Sequence, residues 1–229
     1  MRVLLLVSIL LSNYVVNAQS ATVRWGYNRS TVTDNDLREG SSRPKYRGGM
    51  MLGVGLEGKP RNDFSLGAEL QFVQKGYKLR EEFYYTLFYF KEDLDMRVNY
   101  LSLPVYFKWF PARQKKGHYL LLGAYGAYAT GGRYSYYYKK SQGNTVIEQK
   151  RVEDLTLDFD SSIEGNNGQD YSIKRRGDVG VDVGLGVQMV RGMVLETRYS
   201  FGLTKLSEAS RGEPRNRNFN LGLVFLLPL

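Results

Sequence analysis

Few residues in this 229-residue chain have the types and spacing to do chemistry. There is no cysteine, so disulfides, thiolate metal sites and cysteine nucleophiles are ruled out together. The single histidine, His118, stands beside a short connection running from Pro111 to Gly117. Nothing near it supplies the serine and acid that would make it the base of a hydrolytic trio, so a solvated turn histidine is expected. Asp154, Asp158, Asp160 and Glu164 form an acidic run, but its spacing lacks the glycine and ligand order of an established calcium loop. A solvated loop is the expectation there, and the chain is read as a non-enzyme with no metal and no cofactor.

A second set of charges is more telling. Glu57, Glu69, Lys108, Asp182, Glu196 and Arg198, with Lys75 near an end, each fall on the polar face of a segment whose other face is apolar. If those polar faces are enclosed, the charges must pair, because an unpaired ion out of water is costly. The expected result is a salt-bridged plug that fills a barrel and fixes its register. A proton- or ion-conducting path lined by the same groups is the alternative, disfavoured because eight strands leave no continuous aqueous channel.

The elements that must position these charges are strands. Ala21, Val23, Trp25 and Tyr27 oppose Thr22, Arg24, Gly26 and Asn28, and Phe64, Leu66, Ala68, Leu70 and Phe72 oppose Ser65, Gly67, Glu69 and Gln71. The run from Asp178 to Met189 is the cleanest, with Val179, Val181, Val183, Leu185 and Val187 against Asp178, Gly180, Asp182, Gly184 and Gly186. Period two repeated over many segments is a pattern helices do not produce. Two stretches fit less well. Tyr119 to Thr130 is apolar or small on both faces, and Met96, Val98 and Tyr100 lie on the opposite parity from Leu101 onward, which suggests a bulge or a portion of strand standing above a membrane.

Connections alternate in length. Gly58 to Asp63, Pro111 to Gly117 and Arg191-Gly192 are short; Arg29 to Lys45, Lys78 to Asp95, Gly131 to Arg176 and Lys205 to Arg215 are long. The fold class expected is therefore all-β: an eight-stranded antiparallel up-and-down transmembrane β-barrel with short periplasmic turns and long extracellular loops. A soluble lipocalin-like carrier with an apolar interior shows the same alternation. Glycine argues against it, because Gly53, Gly55, Gly67, Gly180, Gly184, Gly186 and Gly222 crowd the polar face, where a water-exposed strand prefers larger side chains. A narrow lumen needs small residues beside large ones.

The start of the chain, with Arg2, an apolar run from Val3 to Leu11 and small residues at Val16-Asn17-Ala18, reads as a signal peptide over 1–18, leaving a barrel domain over 19–229. The net charge of +9 is dispersed among acidic residues, so outer-membrane lipid and lipopolysaccharide are the expected partners and nucleic acid is not. Tyr134, Tyr136, Tyr137 and Tyr138 open the longest connection as an aromatic ledge, a candidate binding surface in an adhesin-like barrel. Asn99-Tyr100-Leu101-Ser102-Leu103-Pro104-Val105, Asp182-Val183-Gly184-Leu185-Gly186, Arg198-Tyr199-Ser200-Phe201-Gly202-Leu203 and Asn218-Phe219-Asn220-Leu221-Gly222-Leu223 make the chain resemble the PorT-type outer-membrane β-barrel family of Bacteroidota. The resemblance implies an integral outer-membrane barrel with a structural or accessory envelope role, protein secretion with a protein partner among the options.

Overall fold

A computed structural model describes residues 18–33, 44–58, 63–111, 117–157, 159, 175–206 and 214–229. The expected signal peptide lies outside the described residues except for Ala18, where the first strand begins. Nine strands are described: β1 (Ala18–Thr33), β2 (Lys45–Gly58), β3 (Phe64–Tyr85), β4 (Phe88–Trp109), β5 (His118–Gln142), β6 (Thr145–Thr156), β7 (Gly177–Val190), β8 (Met193–Gly202) and β9 (Arg215–Pro228). All pairings are antiparallel. β1 pairs with both β2 and β9, and β5 pairs with both β4 and β7, so eight strands close a ring and only β6 stands outside it. Closure leaves no sheet edge inside a bilayer, where an unpaired N–H or C=O has no water to bond.

The outer face carries the apolar residues. On β4, Leu101, Leu103, Val105, Phe107 and Trp109 point out, each exposed, while Ser102, Tyr106 and Lys108 point in and are buried. The same band recurs on β1, β3, β7 and β9, through residues such as Trp25, Leu70, Val183 and Leu223's neighbour Phe225. From Leu101 to Trp109 the band is roughly 20 Å tall for strands tilted by about 40°, close to a barrel's lipid-facing height. The β3–β4 ladder skips Leu103 and Pro104, where proline has no N–H to donate.

Three expectations are corrected. The stretch Lys78 to Asp95 is not a loop: β3 and β4 stay paired up to Tyr85 and Phe88, joined by Thr86 and Leu87. The long connection from Gly131 is in its first half strand, since β5 runs on to Gln142 and turns back as β6. Cross-strand aromatic pairs, Phe83 with Phe90 and Tyr84 with Tyr89, and ion pairs such as Arg80 with Asp93 propagate the pairing beyond the membrane. The bulge sits in β5, at Thr130 between Ala129 and Gly131, and not in β4, so of the two readings given to Met96, Val98 and Tyr100 the portion of strand standing above the membrane is the one that holds. Met96, Val98 and Tyr100 keep the inward parity of Ser102 and Tyr106; what changes is the interior, which turns from polar to apolar. The fifth strand also gains a facing: Tyr119, Leu121 and Tyr125 point in, and Leu120 and Leu122 point out.

Candidate functional site

The lower lumen gathers its charges into one connected cluster. Arg24 donates from Nε to Glu69 Oε2 at 2.8 Å and from Nη2 to Glu196 Oε1 at 2.7 Å. Arg198 bonds both carboxylates, reaching Glu69 Oε1 at 3.1 Å and also Glu196. Lys108 donates to Glu57 Oε2 at 2.6 Å and lies 3.9 Å from Glu196. The Tyr106 hydroxyl donates to Glu69 at 2.8 Å, and the Tyr119 hydroxyl donates to Glu196. Glu57, Glu69, Lys108, Glu196 and Arg198 thus meet in one network, while Asp182 stands apart on β7, bonded to Ser200.

Sequence reasoning omitted two members of this interior from its charged set. Arg24 bridges the two central carboxylates, and its signal was present in the alternation that puts it beside Thr22 and Asn28. Asp178 takes Lys75 Nζ at 2.7 Å and Asn216 Nδ2 at 2.8 Å one layer higher. Aromatic rings seal the cations in. Lys75 lies 4.4 Å from the centre of the Tyr125 ring, Lys108 lies 4.4 Å from that of Tyr119, and Arg198 lies 4.5 Å from that of Tyr106. These rings explain the glycines. A Cβ on Gly67 would fall 2.2 Å from Tyr106, and one on Gly186 would fall 2.2 Å from Tyr119. Small residues are required where tyrosines cross the lumen.

Above this network the interior is mainly apolar, with Glu81 and Glu92 the buried acids of its upper end. Leu94, Met96, Val98, Tyr100, Ala129, Tyr136, Tyr138, Leu157 and Phe159 form one buried cluster, which Tyr134 packs against. The candidate tyrosine ledge is thereby reassigned: Tyr136 and Tyr138 are core, Tyr134 is half-buried against them, and Tyr137 faces outward. The most exposed aromatics stand elsewhere, at the β3–β4 apex, where Tyr84 is 80% and Tyr85 70% exposed. The apex lies 13 residues beyond Phe72, the last apolar outward residue of β3, or roughly 30 Å above the band. β6 is exposed at every position but Val152, and among the described residues only β5 pairs with it. A cleft of about 410 Å³ opens on this extension, with Lys78, Asp95, Tyr137, Arg151 and Glu153 among its walls.

Chemistry-bearing residues remain sparse. His118 is exposed at the first position of β5, opposite Val187. Asp154 is exposed and pairs with Arg133; Asp158, Asp160 and Glu164 lie outside the described residues. Among the described residues no group of three or more histidine, cysteine, aspartate or glutamate side chains is placed to hold a metal.

Residues 17–208 match the family model described as outer membrane protein beta-barrel domain. The chain belongs to that family. Its members' membrane is this chain's location, and the protein is an outer-membrane β-barrel protein of the cell outer membrane. Among the solved structures similar to this outer membrane beta-barrel domain are the following three. Ail, the attachment invasion locus protein of Yersinia pestis, is 15% identical, with 92% of this chain and 99% of that chain covered and a TM-score of 0.42. Neisserial surface protein A is 11% identical, over 91% of this chain and 97% of that chain, at a TM-score of 0.37. The translocator domain of the autotransporter NalP from Neisseria meningitidis is 12% identical, over 95% and 92%, at 0.29. No curated protein matches the chain.

Proposed function

We propose that this outer-membrane barrel is a non-catalytic, non-conducting pedestal that presents the β3–β6 extension to a macromolecular partner outside the cell. The observation that carries this reading is the contrast between a filled interior and an exposed apex. The lower lumen is crossed by the Arg24, Glu69, Glu196 and Arg198 network and its tyrosines, and an apolar core caps it. The extension, by contrast, offers Tyr84, Tyr85 and Leu87 at its tip and the whole length of β6 along its side. Tyrosine gives large contact area at low entropic cost, and an open strand edge offers backbone hydrogen bonds to an incoming strand.

The test is a trimmed chain in which residues 81–92 and 139–150 are each replaced by a short turn. Cells carrying it are compared with wild type for adherence to immobilised protein and glycan, with barrel folding checked by the heat-dependent mobility shift on gels. Loss of adherence with the barrel still folded is expected; equal adherence overturns the reading. A second reading, an accessory role in protein secretion, draws support from the motifs Asn99 to Val105 and Arg198 to Leu203 that resemble PorT-type barrels. Deleting the protein would then block delivery of exported proteins to the surface, an outcome the adhesive reading does not produce.

A further inference from the structure

The two hairpin ends of the extension form one distal crown. From Phe83 to Phe90 every residue but Thr86 is aromatic or aliphatic, and none is charged. Phe83 pairs with Phe90, Tyr84 with Tyr89 and Tyr85 with Phe88 across the β3–β4 ladder. Their rings brace one another: Phe83 stacks on Phe90 at 4.9 Å, and Tyr84 lies 5.0 Å from Tyr89. The β5–β6 turn stands at the same height, because Phe88 pairs with Gln142 and Ser141 with Val146. Val146 and Ile147, beside that turn, are exposed, as is Leu87. The part of the extension farthest from the barrel therefore presents apolar and aromatic surface to water.

Charge begins abruptly beneath it. One step below Phe83 and Phe90, a row across four strands holds Glu82, Lys91, Lys139 and Gln149. Lys91 Nζ lies 3.0 Å from Glu82 Oε1. Lys140, opposite Glu148 in the β5–β6 register, sets its Nζ 4.8 Å from the centre of the Phe88 ring and 5.7 Å from that of Phe90. This collar carries both signs of charge. From Tyr85 down to the collar is roughly 8 Å along the axis of tilted strands. An apolar face seated in a bilayer interface is buried by about 5–10 Å. Seating the crown to that depth brings the collar's lysines and glutamates level with the phosphates and ammonium groups of a zwitterionic lipid.

The bilayer in question is not the protein's own. The β3–β4 register runs without a slip from Gln71 and Ser102 to Tyr85 and Phe88, so the crown is held roughly 30 Å above the lipid-facing band. A large exposed apolar patch marks contact with either a protein or a membrane. Protein hot spots sit in well-packed pockets, whereas Tyr84, Tyr85, Leu87, Val146 and Ile147 line no part of the cleft on the extension and stand on its projecting end. Tyrosine suits a lipid interface, its ring taking the apolar layer while its hydroxyl stays with water. The passage from uncharged crown to two-signed collar along a single axis repeats the layering of such an interface.

We infer that the crown of Tyr84, Tyr85, Leu87, Val146 and Ile147 docks into the zwitterionic surface of a second lipid bilayer facing the cell's own. The inference rests on the extension being a free-standing contact device; it gives the tip to lipid and leaves the β6 edge to a macromolecular partner. The test places the full chain in phosphatidylcholine nanodiscs and mixes them with protein-free vesicles of dibrominated phosphatidylcholine. The wild-type chain should float with the vesicles at high salt as at low. Y84S/Y85S/L87S should bind them about 100-fold more weakly, because three side chains lose their burial. In Y85W the tip tryptophan should be quenched by the vesicle's bromine, while Trp25 and Trp109, which face the nanodisc lipid, should stay bright in the wild-type chain. If the wild-type chain does not float with the vesicles and Y85W is not quenched, the inference is overturned whether or not the serine variant folds. Adherence of wild-type cells to immobilised protein or glycan would then still support the pedestal reading, with the crown as part of a protein or glycan contact. Flotation abolished by high salt also overturns the inference, since screened charges and not the crown would be holding the vesicle.

Discussion

The lower and upper halves of β3 and β4 are built from the same two strands in one continuous register, yet their polarity is reversed. Below, Leu66, Leu70, Leu103 and Phe107 face out while Glu69, Gln71, Tyr106 and Lys108 face in. Above, Lys78, Arg80, Asp93 and Asp95 face out while Leu79, Leu94, Met96 and Val98 face in. The crossover falls between Val73 and Lys78 on β3 and between Arg97 and Leu101 on β4. The β3–β4 ladder runs through it unbroken, although the flanking β2–β3 and β4–β5 ladders each slip by one residue at this level. What changes is the solvent: lipid outside the lower half demands apolar side chains, and water outside the upper half returns it to the ordinary arrangement of a soluble sheet. A barrel wall therefore reports its own membrane boundary by where its alternation changes phase of polarity.

The largest expected break of this contrast is in the lower interior. Replacing Glu69 by alanine leaves Arg24 and Arg198 facing each other with one carboxylate, Glu196, between them. Removing one partner of a buried ion network costs about 3–5 kcal/mol. Equilibrium urea unfolding of the refolded barrel should show that loss, while hydrogen exchange of the β3–β4 apex, held by the separate apolar cluster, should change little. A uniform loosening of both halves would mean that they are one cooperative unit.

The next prediction sharpens where the boundary lies. Leu103→Arg places a charge at mid-band on the outer face of β4 and should destabilise the inserted barrel by about 2–4 kcal/mol. Thr130→Arg, on the outer face of the adjoining strand beyond Tyr128, should cost no more than about 1 kcal/mol, because charge is tolerated near the interface. Unfolding free energies measured side by side in the same bilayer decide this, and equal costs would place Thr130 inside the hydrocarbon layer.

How much of this was legible in the sequence follows from the same reversal. The lower strands announce themselves because one face is strictly apolar, and Asp178 to Met189 needs only its alternation to be read. The charges Glu57, Glu69, Lys108, Glu196 and Arg198 could be assigned to a shared interior from parity alone, since every one lies on the face opposite the band. Which of them touch could not be read, because the contacts join residues as distant as Arg24 and Glu196 through barrel closure. The upper strands were mistaken for loops for a physical reason. Their outer face is charged and their inner face apolar, so the sense of the pattern flips at Tyr100 and Leu101 and looks like the end of a strand. Tyr134, Tyr136 and Tyr138 suffered the same fate, reading as a wet ledge because their burial depends on Leu157 and Phe159 returning over them.

The smallest effect concerns an acid pair in the upper interior. Glu81 and Glu92 are direct cross-strand partners, both buried and both on the inward face. Burial pushes each carboxyl above the usual carboxylate range; the charge of Glu92 adds to the rise at Glu81, while a hydrogen bond with Tyr136 moderates it at Glu92. A carboxyl whose pKa is raised by folding contributes stability that is fully present below its unfolded value and is lost as pH rises through its folded value. The extension should therefore hold together better at pH 4 than at pH 7. Hydrogen exchange of residues 79–94, normalised for the intrinsic pH dependence of exchange, should be slower at pH 4 by a margin that disappears in E81Q/E92Q. That variant removes the opposed charges and should protect the extension at pH 7 by about 0.2–1 kcal/mol, the scale of a like-charge cross-strand pair. If protection instead falls on acidification, the surface pairs Arg80 with Asp93 and Lys91 with Glu82 govern the apex, because protonating their carboxylates would cost stability where protonating the buried pair adds it.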